Sequence, residues 1–204
     1  LDATRVGPSG LIEKGRENLL TYSNQFDNAI WVGSSTFNIG QEGYDGTNNA
    51  WRFTKNSDSG SDYYNDLFSG LKTFSIHAKK ESGKGIAIYA FYSWVDTDSD
   101  GVVDSHSGSD NCFINLETGA IVDTDGSPKH VQVDAVGNDF WRISMTVDRT
   151  NARWYLYTTV SDSLSATSIT IQDAQLEVGI AATEHIPTTS AAATAGIKED
   201  EPRF

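Results

Sequence analysis

Apolar residues in this chain recur with a period of two, and no amphipathic helix longer than about two turns can be drawn anywhere along it. Phe74-Ser75-Ile76-His77-Ala78-Lys79 places Phe74, Ile76 and Ala78 on one face of a strand and Ser75, His77 and Lys79 on the other. Trp141 to Val147 alternates in the same way, with Arg142, Ser144 and Thr146 off the apolar face. Arg153 to Val160 separates Trp154 and Leu156 from Tyr155 and Tyr157. Ser168 to Gln172 is a further alternating run, and Ile86 to Tyr92 is apolar on both faces, as a central strand would be. Shorter strand candidates are Ala50–Thr54, Asp62–Leu67, Asn111–Leu116, Ala120–Asp123 and His130–Val136. Turn residues punctuate these runs, as in Gly43-Tyr44-Asp45-Gly46, Ser82-Gly83-Lys84-Gly85, Asp125-Gly126-Ser127-Pro128 and Gly137-Asn138-Asp139. Asn24 to Ile30 has room for one helical turn before Trp31. About ten short strands divided by turns predict an all-β fold, an antiparallel β-sandwich of the jelly-roll kind.

The 204 residues suit one such domain. Residues 1–17 are polar and Gly-containing and read as an N-terminal arm, residues 18–187 as the sandwich, and 188–204 as a C-terminal linker. Leu1-Asp2-Ala3 reads as a cut from a longer protein. The single cysteine, Cys112, lies in the apolar run Cys112-Phe113-Ile114 and is expected in the core. Twenty-eight acidic and 15 basic residues leave a net charge of -13, which argues against nucleic acid and against anionic membrane surfaces. No run of about 18 apolar residues is present to insert into a membrane. Such a surface suits neutral ligands and divalent cations.

The sharpest local motif is Asp96-Thr97-Asp98-Ser99-Asp100-Gly101-Val102-Val103-Asp104. Carboxylates at alternate positions before a glycine can wrap oxygens around one Ca2+. Asp96, Asp98, Asp100 and Asp104 would give side chains and Val102 its carbonyl, with Asp110 completing the set from the returning strand. The loop resembles the calcium loops of EF-hands, dockerins and thrombospondin type 3 repeats, but Ser107 stands at the twelfth position, where an EF-hand has glutamate, and no helices flank it. The competing reading is a solvated acidic hairpin tip.

Ala3-Thr4-Arg5-Val6, Gly10-Leu11-Ile12-Glu13 and Asn18-Leu19-Leu20, with Ser23, Phe26, Asn28-Ala29 and Trp31, form an opening block. Asp45-Gly46-Thr47, Gly137-Asn138 with Trp141-Arg142-Ile143-Ser144, and Gln175-Leu176-Glu177 through Ile186-Pro187-Thr188-Thr189 follow it. Together these blocks resemble a module of tailed-phage structural proteins, itself similar to jelly-roll carbohydrate-binding modules of the galactose-binding-like kind. The resemblance implies a virion or extracellular protein, a cell-surface glycan or polysaccharide as partner, and neighbouring domains in a larger virion protein. Phe140 stands where that module has glycine.

If the apolar faces above all point inward, the opposite faces gather His77, Lys79, Tyr89, Phe91, Arg142, Ser144, Tyr155 and Tyr157. Flat rings beside polar groups suit sugars, whose two faces are C–H surfaces edged by hydroxyls. The same residues would equally serve as cross-strand pairs or lie under the N-terminal arm. Trp94, at the lip of the acidic loop, is a second candidate contact. No zinc-spaced pair among His77, His106, His130 and His185, no Gly-x-Ser-x-Gly elbow and no phosphate-binding loop is present, so the expectation is a binding module and not an enzyme. A virion assembly domain without sugar affinity is the main alternative. A polysaccharide lyase built on His77, Arg142, Tyr155 and Tyr157 is the remoter one.

Overall fold

The computed structural model describes residues 4–6, 12–14, 16–55, 62–93, 105–158 and 168–195. Fifteen strands follow in order: β1 (Thr4–Val6), β2 (Ile12–Lys14), β3 (Arg16–Asn18), β4 (Trp31–Val32), β5 (Thr36–Gln41), β6 (Ala50–Thr54), β7 (Asp62–Tyr64), β8 (Phe68–Lys80), β9 (Gly85–Tyr92), β10 (Gly108–Asn115), β11 (Ala120–Asp125), β12 (His130–Gly137), β13 (Phe140–Tyr157), β14 (Ser168–Val178) and β15 (Ala193–Ala195). No helix occurs among the described residues. The all-β sandwich read from the periodicity is the observed fold.

Two antiparallel layers face each other. The first runs β5-β6-β14-β8-β13-β12, and the second runs β11-β10-β9-β13-β7-β4. Strand β13 belongs to both. Its first half pairs with β8 from Trp141↔Ala78 onward, and its second half pairs with β9 from Arg153↔Phe91 to Tyr157↔Ala87. The handover lies at a register shift between Arg149 and Ala152, where Asn151 adopts a left-handed φ of 49°. The sequence reads this region as two strands because Asp148-Arg149-Thr150-Asn151 breaks the apolar alternation. The backbone bulges there and continues.

Inward residues of the two layers form one core. It contains Phe74, Ile76 and Ala78 from β8, Ile86 and Ile88 from β9, Cys112 and Ile114 from β10, and Trp154 and Leu156 from β13. The Phe74 and Trp154 rings stack across the core with centroids 5.1 Å apart. Each large side chain so buried contributes about 1.5–3 kcal/mol. Burial pushes the Cys112 thiol up to about 12, so it stays protonated and behaves as an apolar filler. Trp31 and Trp51 are buried and donate their indole N–H groups to the Tyr22 and Asn24 carbonyls at 3.1 and 3.0 Å. These bonds hold a segment that the sequence suggested as one helical turn. It is instead a chain of separate turns, closed by Gln25 N→Tyr22 O, Asn28 N→Gln25 O and Trp31 N→Asn28 O. Two of their rings, Phe26 and Trp31, enter the core.

The flanking segments contribute strands of their own. β1 pairs with β2, and β3 pairs with β15 over Asn18↔Ala193, Glu17↔Thr194 and Arg16↔Ala195. Asn18 is fully buried and joins the early and late chain: its Oδ1 accepts from Leu20 and Leu176 N–H, and its Nδ2 donates to the Ala174 and Ile186 carbonyls.

Candidate functional site

The sandwich has two outer faces, and they differ in what covers them. On the first layer, Thr73, Ser75, His77, Ser144, Thr146, Gln175 and Glu177 are polar yet buried. The chain itself lies over them as a strap of residues 179–188. Gln175 Nε2 donates to the Thr183 carbonyl at 3.2 Å and its Oε1 accepts from Ile186 N–H at 2.7 Å. Glu177 accepts from Thr183 N–H at 2.8 Å, Thr73 donates to the Gly179 carbonyl at 2.7 Å, and Arg142 donates to the Thr183 carbonyl. A strap of irregular backbone needs partners for its polar groups, and this polar face supplies them.

Under the strap, His77, Arg142, Asp173, His185 and Tyr44 gather. The Tyr44 and His77 rings stack with centroids 4.0 Å apart. Tyr44 Oη donates to Asp173 Oδ2 at 3.0 Å, the same oxygen lies 3.4 Å from His185 Nδ1, and His185 Nε2 lies 3.2 Å from Ser23 Oγ. The order Ser23–His185–Asp173 has the sense of a nucleophile relay. Ser23, however, is fully buried, and its Oγ also accepts from Thr188 N–H at 3.0 Å, so the run ties the 20s to the end of the strap. Burial raises Asp173 to about 6, helped by the Asp45 charge. Burial lowers His77 to about 4, with Arg142 and His185 adding to the effect, and lowers His185 to about 4, with Arg142 adding to it.

These displacements set a pH dependence. The two histidines have depressed folded values, so their contribution is present above about 6.5, the ordinary histidine value, and is lost as pH falls toward 4. Asp173 is raised, so its protonation below about 6 works in the opposite sense and offsets part of one histidine. Two against one leaves a net loss on the order of 3 kcal/mol on acidification from pH 7 to 4. Calorimetry across that range should show a falling Tm, and His185→Gln should flatten the fall. A Tm that stays level would mean that the histidines carry no such penalty.

Among the described residues no such strap lies over the outer face of the second layer, which is aromatic. Period-two alternation aims Tyr89 and Phe91 outward from β9, Tyr155 and Tyr157 from β13, Phe113 from β10 and Tyr63 from β7. Tyr89 and Phe91 stack at 5.2 Å, and Tyr157 and Phe113 meet Tyr89 edge-on at 4.9 and 5.7 Å. Phe91 meets Tyr155 edge-on at 4.8 Å, Tyr155 meets Tyr63 at 4.8 Å, and the Arg153 guanidinium lies 4.9 Å over the Tyr63 ring. His106 sits 4.4 Å from Phe91. Tyr155 is nearly buried at 7%, while Tyr63, Tyr89, Phe91, Phe113 and Tyr157 are half-exposed. Tyr89 is raised by burial and by the charge of Asp125. Asp123 and Asp125 of β11 stand opposite Phe113 and Asn111 on this face.

One expectation is therefore corrected. His77, Lys79, Arg142 and Ser144 do not share a face with Tyr89, Phe91, Tyr155 and Tyr157. The bulge in β13 carries the first group to one layer and the second to the other. His77 is 5% exposed under the strap, and Lys79 Nζ lies 4.9 Å over the Phe140 ring beside it. A cleft of about 250 Å³ opens at Lys79, Lys80, Glu117, Asp139 and Trp141.

Trp94 and the acidic positions Asp96, Asp98, Asp100, Val102 and Asp104 lie outside the described residues. Asp110 is described, fully buried, and engaged by Arg149 through Nε at 2.6 Å and through its terminal nitrogen at 2.8 Å, with Ser127 N–H at 2.7 Å. Among the described residues no group of three His, Cys, Asp or Glu is placed to hold a metal ion. Sequence reasoning did not assign Asn111, Phe113, Asp123 and Asp125 to the aromatic face. The alternation Asn111-Cys112-Phe113-Ile114 around a core cysteine is the signal that points to Asn111 and Phe113.

No family model and no curated protein matches the sequence. Among solved structures, the chain is similar to the CBM22-1–GH10 modules of endo-1,4-β-D-xylanase 10B from Clostridium thermocellum, complexed with xylohexaose, at 14% identity over 85% of this chain and 30% of that one, with a TM-score of 0.46. It is also similar to the enzymatically active domain of bacteriophage CBA120 tailspike protein 4, at 14% identity over 78% of this chain and 21% of that one, with a TM-score of 0.42. The chain thus spans less than a third of either.

Proposed function

We propose that this chain is a non-catalytic glycan-binding module that holds a polysaccharide on the aromatic outer face of its second layer. The carrying observation is the contrast between the two faces among the described residues: the polar one is closed by the chain's own strap, and the other presents half-buried rings with polar groups among them. Aromatic rings offer flat apolar area to sugar C–H faces, and the neighbouring polar groups meet hydroxyls. The sequence blocks shared with tailed-phage modules support a place in a virion protein facing a cell-surface or environmental polysaccharide. The Asp96–Asp104 motif supports a structural Ca2+ as part of the same reading.

The test is retention by immobilised polysaccharides and a glycan array, each with calcium and with a chelator. Tyr89→Ala and Tyr157→Ala should each weaken binding by about tenfold or more, since a stacked ring is worth on the order of 1–2 kcal/mol. Binding that survives both changes would place the site elsewhere, and binding lost only on chelation would move it to the acidic loop. Concentration-dependent self-association with no glycan effect would favour the assembly reading. The exposed β11 edge, with Ile121 and Val122 about half open to solvent, gives that reading a surface.

A further inference from the structure

We infer that the aromatic face is chemically polarised, and that its β10–β11 flank selects neutral polyhydroxylated glycans over uronate polymers. This rests on the glycan-binding reading above and adds the class of ligand. The decisive residue is Asn111. Its side chain is 3% exposed, and its Oδ1 has no hydrogen-bond partner among the described residues. In the ladder it stands between Tyr89 of β9 and Asp125 of β11, so it points to the aromatic face. A buried acceptor left unpaired costs about 1–3 kcal/mol, and a donor brought by a ligand removes that cost.

The groups around Asn111 extend the same preference. Asp125 and Asp123 flank it on β11, and one oxygen of each is taken by a local N–H, from Gly126 and Thr124. Both residues are exposed, and no described residue hydrogen-bonds to the second oxygen of either carboxylate. Three acceptor positions in a row ask for donors, and a run of sugar hydroxyls provides them. Carboxylates of a uronate chain in the same place would meet two fixed negative charges and an unpaired carbonyl oxygen, in a molecule already at -13. The cation of this face, Arg153, lies at the opposite flank over Tyr63.

The experiment compares neutral xylan, glucomannan and mixed-linkage glucan with alginate and polygalacturonate, by affinity electrophoresis and calorimetry on the whole chain. At least one neutral polymer should bind at least about tenfold more tightly than either uronate polymer at low salt. Asp123→Asn with Asp125→Asn keeps size and shape at exposed positions and should shrink that preference by about tenfold. Asn111→Leu should weaken neutral-polymer binding, and Asn111→Asp should weaken it further for uronates. The double Asn variant keeps the test sound if changes at the buried Asn111 impair folding. Uronate binding equal to neutral binding, with Tyr89→Ala still weakening both, would overturn the polarity and leave the glycan face standing. No binding of any polymer, or binding indifferent to Tyr89 and Tyr157, would overturn both.

Discussion

Asp110→Ala should destabilise the domain by about 1–3 kcal/mol, the cost of losing its charge-assisted hydrogen bonds and leaving a turn amide unpaired. Asp110 is fully buried, while its partner Arg149 keeps part of its side chain in solvent and lies 4.3 Å from the Tyr92 ring. Both carboxylate oxygens are engaged, and one also accepts from Ser127 N–H, so the substitution strands a guanidinium and a turn amide together. Asp110→Asn keeps the shape and the turn acceptor but not the charge, and should cost less. Urea unfolding of the three proteins in chelator checks this. The sequence proposed Asp110 as a calcium ligand. If that were its main role, the variants would differ from the parent only when calcium is present.

Trp154→Ala should cost about 3–5 kcal/mol. The indole fills the space between the layers against Phe74 and sits next to the bulge in β13. Its Nε1 is buried without a hydrogen-bond partner among the described residues, so it stacks well but carries a polar penalty. Trp154→Phe removes that penalty while keeping a ring, and should recover most of the loss. Chemical denaturation of both variants separates the two terms. A phenylalanine variant as unstable as the alanine one would show that the unpaired indole N–H carries no penalty and that only the full indole fits the site.

Much of the fold was legible because period two is a strong signal. Ala50–Thr54 was bounded as observed, and the apolar faces of β8, β9 and β13 were assigned as the core that the structure shows. What failed was long-range. Nothing local in Trp141 to Tyr157 says that one strand changes layers, because a bulge is a matter of φ at Asn151 and not of side-chain pattern. The residues expected on one outer face were consequently divided between two layers. Tyr89, Tyr155 and Tyr157 meet as a cluster, whereas His77 and Arg142 are closed in by a strap some forty to a hundred residues away in sequence. β5 was missed altogether, since Thr36-Phe37-Asn38-Ile39 is an edge with Ile39 exposed, and an edge needs little apolar patterning.

The sharing of β13 has a consequence for how the molecule opens. Two sheets joined only through loops could part like the covers of a book, each remaining folded. Here the spine is a single run of backbone bonded into both covers. Splitting them requires unzipping β13 from β8 or from β9, so neither layer is an independent breathing unit. Load applied at Tyr155 and Tyr157 would therefore act on the same strand whose other half anchors the strap-covered layer, and the whole sandwich would share it.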